Sequence, residues 1–182
     1  MAAASVDATR AATPATQQSG AARAPSLAAL RLLCIAVIGK HGNPLFLQSY
    51  SHNRGGQADL KWHYAAHTSL DFFEERELPT ANTVECYFGL LYAMEDYAVY
   101  GYQTNTRIKF VVVLALADAV VRDFDVKTIF RAIHNAYISY MSNPFTSTET
   151  DNLDLLAAPI RSTKFARAMD DIAGVSPTMV PS

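Results

Sequence analysis

The sequence has little of what several classes of protein require. Its 15 Lys and Arg are balanced by 17 Asp and Glu, so no basic surface for a nucleic-acid backbone is indicated. The longest apolar run, Phe110 to Ala117, is far shorter than the roughly 20 residues of a transmembrane helix. The two cysteines, Cys34 and Cys86, lie in apolar runs, which favours buried thiols in a reducing compartment over a disulfide scaffold.

The sequence also has few signals for catalysis. It contains no glycine-rich phosphate loop and no G-x-S-x-G elbow; Ser69 lies inside a predicted helix. His63, His67 and Asp71 are spaced i, i+4 and i+8, so they share one helix face and could ligate a metal. No second cluster of Cys, His or acid completes such a site. We therefore predict no enzyme, no cofactor and no metal, and keep a metal-binding protein using His63 and His67 as an alternative.

Composition divides the chain into three parts. Residues 1–30 are rich in alanine, but Asp7, Arg10 and Pro14 interrupt any continuous apolar core, so a signal peptide is not indicated. This composition fits either a mitochondrial transit peptide or a disordered tail. We predict a disordered extension at 1–30, a folded domain at 31–175 and a flexible tail at 176–182.

Local patterns predict eight elements in the order β-β-α-β-β-β-α-α, which is an α+β fold. Asp59 is predicted to cap the first helix, Ser162 to cap the last, and Gly174 to end it. The predicted strands are 32–40, 45–50, 85–93, 97–103 and 108–116, and the predicted helices are 60–77, 124–142 and 163–173.

The strands are apolar on both alternating faces. In the third strand, alternation places Phe88 and Leu90 on one face and Tyr87 and Leu91 on the other. A sheet with two apolar faces must be covered on both sides, so we expect a helix layer on each. The polar side of the second long helix is predicted to carry Lys127, Arg131, His134 and Asn135.

The first helix carries two different stripes. The core stripe is predicted to contain Trp62, Ala65, Ala66, Ser69, Leu70 and Phe73. A second stripe, facing away from it, contains Leu60, Tyr64, His67 and Asp71. An aromatic group beside a few oriented polar groups is typical of protein interfaces, and an acid can fix the register of a basic partner. We predict that this stripe binds a partner; the alternative is an ordinary solvated face.

Several motifs together resemble a known family. They are His63-Tyr64 with His67-Thr68-Ser69-Leu70-Asp71, Gly89-Leu90-Leu91-Tyr92, Glu95-Asp96-Tyr97, Val99-Tyr100-Gly101-Tyr102 with Thr104-Asn105, Phe130-Arg131 with His134-Asn135, Met141 to Phe145, and Ser162 with Phe165. Over roughly residues 32–172 the chain resembles the sedlin-like (subunit 2-like) small subunit of the TRAPP vesicle-tethering complex. The resemblance implies a longin (SNARE-like) fold, in which a five-stranded antiparallel sheet has one helix on one face and two on the other.

The resemblance also implies a function. A sedlin-like chain is expected to be a non-catalytic adaptor in early secretory and Golgi traffic, within a complex that activates a Rab GTPase by nucleotide exchange. Its partners would be other TRAPP subunits, and indirectly a Rab GTPase and membranes, with a cytoplasmic location peripheral to Golgi and ER–Golgi membranes. The longin domain of a SNARE or coat adaptor is the alternative, although the residues after Phe145 lack the heptads of a SNARE. Residues 1–30 and the longer loops 51–58 and 146–161 depart from the family pattern.

Overall fold

A computed structural model describes residues 30–50, 56–77, 86–116, 121–143 and 158–174. Residues 1–29, Phe145, most of the loops 51–58 and 146–161 and the tail from 175 onward lie outside the described residues. The eight described elements follow the predicted order. They are β1 (Leu32–Ile38), β2 (Pro44–Ser49), α1 (Gly56–Glu77), β3 (Tyr87–Ala93), β4 (Tyr97–Gln103), β5 (Lys109–Ala115), α2 (Asp123–Met141) and α3 (Thr163–Ala173).

The five strands form one antiparallel sheet in the order β2-β1-β5-β4-β3. β5 lies at its centre between β1 and β4, while β2 and β3 are its edges. α1 packs against one face, and α2 and α3 pack against the other. The predicted α+β, longin-like arrangement, with one helix on one face and two on the other, is therefore confirmed. Among the described helices, none has both the length and the apolarity that a bilayer span requires.

The core beneath α2 and α3 is built from apolar side chains at helical spacing. Phe130 and Ile133 of α2 and Met169 of α3 are fully buried against the sheet. Phe165 of α3 is 3% exposed and meets Phe46 edge-to-face at 5.0 Å between ring centroids. Burying an aromatic side chain of this size contributes about 1.5–3 kcal/mol.

The core beneath α1 contains the predicted stripe. Leu70 is partly buried, and the other five members are buried: Trp62, Ala65, Ala66, Ser69 and Phe73. The Ser69 hydroxyl, at the centre of this face, donates to the Ala66 carbonyl at 2.6 Å. A polar group can therefore sit in the core without an unsatisfied hydrogen bond.

The predicted alternation in β3 is wrong. Gly89 has a φ of +70°, and the pairing with β4 shifts by one residue on each side of it, once at Phe88 and again at Leu91. Each bulge reverses the face of the residues that follow. Phe88 and Leu91 consequently both pack on the α1 side, Tyr87 packs on the opposite side, and Leu90 is exposed.

Two further sequence expectations need correction. α1 begins at Gly56, so Asp59 lies inside its first turn and is not its N-cap; acidic residues are common at both places.

His134 does not belong to the polar side of α2. Its partly buried ring lies 5.7 Å from that of Tyr102 and 5.8 Å from that of Phe110, between centroids.

Candidate partner-binding surface

The four residues of the predicted second stripe lie together on the outer side of α1. Leu60 and Tyr64 are 67% and 70% exposed, and His67 and Asp71 are exposed as well. At about 1.5 Å of rise per residue, the stripe is roughly 16 Å long. The side chains that carry apolar surface stand at its N-terminal end and the carboxylate at its C-terminal end. The structure therefore provides an elongated surface of mixed chemistry, and its role in binding stays a prediction.

Tyrosines of the sheet adjoin the apolar end of this stripe. The Tyr92 ring of β3 stacks on Phe72 of α1 at 5.0 Å between centroids, and its hydroxyl donates to the Ala65 carbonyl at 3.0 Å. Burial, assisted by the neighbouring hydroxyls of Tyr97 and Tyr64, raises the pKa of Tyr92 to about 12. The hydroxyl therefore remains a hydrogen-bond donor at physiological pH, and it fixes α1 against the edge of the sheet.

A lysine stands beside the same end of the stripe. The Lys61 ammonium lies 4.7 Å from the centroid of the Tyr97 ring and 5.2 Å from that of Trp62. Those two rings meet edge-to-face at 5.5 Å. Cation–π contacts of this kind are worth about 0.5–1 kcal/mol at exposed positions. Sequence reasoning missed Lys61, although its position between Leu60 and Trp62 places it next to the stripe.

The C-terminal half of α1 is acidic. Asp71, Glu74 and Glu75 are all exposed in its last two turns. Glu74 and Glu75 lie in the last turn, where an acid opposes the helix dipole, whereas Asp71 precedes that turn. Together the three carboxylates give this end of the surface a negative charge.

Three residues of α1 are the metal ligands that the sequence offers. His63, His67 and Asp71 are exposed along α1. Within the part of the chain that the structure describes, no three His, Cys, Asp or Glu side chains lie close enough together to hold a metal ion. The geometry consequently gives this alternative no support.

A second mixed surface, which the sequence reasoning did not identify, lies at the start of α2. The Tyr87 hydroxyl donates to Asp123 at 3.1 Å, and the Lys127 ammonium lies 4.8 Å from the Tyr87 ring centroid. Burial raises the pKa of Tyr87, and the bond to Asp123 raises it further. Phe124 beside this group is 73% exposed. Tyr87 and Asp123 are 36 positions apart in the sequence, so no local sequence pattern indicates their hydrogen bond.

Comparison with known proteins gives a consistent result. Residues 37–174 match the family model described as sedlin. The chain is 42% identical over 120 residues to the trafficking protein particle complex subunit 2-like protein of Dictyostelium discoideum, covering 63% of this chain and 82% of that protein. It is also 42% identical over 117 residues to the protein of the same name from Mus musculus, covering 62% and 81%. An uncharacterised protein of Schizosaccharomyces pombe is 25% identical over 117 residues. The chain belongs to the sedlin family.

Proposed function

We propose that this protein is a non-catalytic subunit of the trafficking protein particle (TRAPP) complex. The relatives at 42% identity carry the name of that complex's subunit 2-like protein. Such a subunit would act by contact within a complex that tethers vesicles and promotes nucleotide exchange on a Rab GTPase. Its location would be cytoplasmic, at the surface of Golgi and ER–Golgi membranes.

The observation that carries the proposal is the outer stripe of α1. The core stripe of this helix packs against the sheet, while Leu60 and Tyr64, one turn apart, remain about two-thirds exposed. Aromatic side chains with exposed apolar surface are enriched at protein interfaces. A tyrosine side chain has only two χ angles, so little side-chain entropy is lost when a partner covers Tyr64.

The polarity of the stripe indicates the kind of partner. Its apolar end favours an apolar or aromatic group of the partner, and its acidic end, with Asp71 beside Glu74 and Glu75, favours a Lys or Arg. Complementary charges at the rim of an interface set register and speed association. We infer that Asp71 orients another TRAPP subunit along α1.

A charge reversal at one position tests this interface. Tagged Asp71→Arg protein is expressed in cells and purified by its tag, and the recovered TRAPP subunits are quantified by mass spectrometry. Recovery is expected to fall about tenfold, which corresponds to a loss of about 1.4 kcal/mol of binding. Melting of the purified domain is expected to be unchanged, because Asp71 is exposed.

The matched control is Asp171→Arg. Asp171 is an exposed aspartate on α3, across the sheet from α1. This variant has the same change of charge and is expected to recover the complex at the wild-type level. Normal recovery with Asp71→Arg would show that the α1 stripe is not the interface. If the wild-type protein recovers no TRAPP subunit, the proposed function itself is wrong.

A further inference from the structure

β3 is an edge strand, and its sequence does not oppose pairing with a strand of another molecule. Residues 86–94 (CYFGLLYAM) contain no charged residue and no proline. Leu90 is 44% exposed and Met94 is 52% exposed. Uncovered apolar edges pair readily with other strands, and natural proteins usually protect them with charges, prolines or bulges. The two bulges at Phe88 and Leu91 are the protection that β3 itself carries.

Arg76, in the last turn of α1, reaches this edge strand. Its Nη1 donates to the Phe88 carbonyl at 2.5 Å, and its Nη2 donates to the Leu90 carbonyl at 2.8 Å. One guanidinium therefore holds two carbonyls on the two sides of Gly89. The planar fork of arginine can form both bonds at once, whereas the ammonium of lysine cannot reproduce that geometry.

The opposite edge of the sheet is covered in a different way. The Ile160 N–H donates to the Leu45 carbonyl of β2 at 2.7 Å. Farther along β2, the Gln48 amide donates to the Asp170 carboxylate of α3. β2 is thus protected by backbone and a packed helix. On β3, the carbonyls of Phe88 and Leu90 accept hydrogen bonds from one side chain, that of Arg76, so one substitution can remove both bonds.

We propose that Arg76 keeps the β3 edge closed to strand pairing, and that the occupant it excludes is β3 of a second copy of this chain. Two β3 strands related by a two-fold axis would run antiparallel and would place uncharged, apolar sequence against itself. No like charges within residues 86–94 would oppose that pairing. The incoming strand needs backbone acceptors at this edge, and Arg76 already engages those of Phe88 and Leu90.

The test compares the association of full-length variants by light scattering during size-exclusion chromatography over a concentration series. Arg76→Met keeps an unbranched apolar stem but loses the donors, and it is expected to associate at a concentration at least about tenfold lower than the wild type does. Arg76→Lys keeps the charge but not the fork of donors. It is expected to associate at a lower concentration than the wild type does, by a smaller factor than Arg76→Met. Arg167→Met, at an exposed arginine of α3, is expected to behave as the wild type.

A second substitution separates edge pairing from unfolding. Leu90→Lys places a charge on the exposed side chain of the edge strand, and like charges oppose strand pairing. In the Arg76→Met background it is expected to restore wild-type association. The proposal is overturned if Arg76→Met and Arg76→Lys both associate as the wild type does, or if Leu90→Lys leaves the association of Arg76→Met unchanged.

Discussion

The ring of Phe73 on α1 occupies the space beside the α-carbon of Gly101 on β4. A Cβ built on Gly101 would come within 2.7 Å of the Phe73 Cζ and 2.8 Å of a Leu91 methyl carbon. Phe73 is fully buried, and Leu91 is 5% exposed. Glycine at this position therefore lets a fully buried aromatic side chain of the α1 core lie directly on the sheet backbone.

Gly101→Ala is expected to destabilise the domain by about 1–3 kcal/mol, because an added methyl group overpacks the core and the buried Phe73 and Leu91 side chains must shift to admit it. Urea denaturation measures the change. The control is Gly101→Ala combined with Phe73→Leu, where the smaller side chain relieves the clash. The double variant should lose less stability than the sum of the single variants. Full additivity would show that the two positions do not compete for the same space.

Ser162→Ala is expected to lower stability by about 0.5–2 kcal/mol. The Ser162 hydroxyl accepts from the Phe165 N–H at 3.3 Å at the start of α3, and Gly174 ends the helix with a φ of 70°. Fraying of the first turn would loosen Phe165 from the core. The midpoint of urea denaturation measures the loss. Ser162→Asp keeps an acceptor and should remain near the wild type, whereas an equal loss in both variants would mean that the acceptor at the cap is not what stabilises the helix.

Local sequence patterns predicted most of the fold, because the ends and faces of helices are determined by residues close together in the sequence. Both ends of α3 follow from the chemistry of Ser162 and Gly174, and the core and outer stripes of α1 follow from a period of 3.6 residues. The predicted alternation of faces in β3 was wrong because two bulges around Gly89 change the register of its pairing with β4. A two-residue period holds only where the register does not change. The shift depends on pairing with β4, which a single strand does not encode.

The contacts of individual side chains were less predictable. The outer stripe of α1 could be found from spacing alone, because its four residues lie on one helix. Arg76 meets carbonyls 12 and 14 residues away, and His134 meets Tyr102 from another element. Such partners are set by how the helices lie on the sheet, so the sequence gives their chemistry but not their pairing.

Deletion of residues 1–26 is expected to leave the melting temperature within experimental error. The match to the sedlin family begins at residue 37, and the first strand begins at Leu32. Circular dichroism during heating measures the change. Deletion of residues 1–35 is the control; it removes more than half of β1, an interior strand, and should abolish cooperative unfolding. A large fall in melting temperature after removal of 1–26 would show that this segment stabilises the domain.

The environment of His134 makes its charged form unfavourable. Its ring is tilted against those of Tyr102 and Phe110, and its Nδ1 lies 3.5 Å from the Tyr102 hydroxyl. Burial lowers the pKa of His134 from its usual value of 6.5. Arg131 is on the same helix, three residues earlier, so a second positive charge there would add repulsion.

His134→Phe is expected to make the domain less sensitive to acid. In the wild type, the pKa of His134 is lower in the folded state, so the unfolded state binds more protons as the pH falls through about 6.5, and stability declines. Phenylalanine keeps the aromatic contacts and cannot be protonated. Melting temperatures at pH 7.5 and pH 5.5 should therefore differ less in His134→Phe than in the wild type. His63→Phe, at an exposed histidine of α1, is the control and should keep the wild-type difference. If His134→Phe keeps it too, protonation of His134 does not contribute to acid sensitivity.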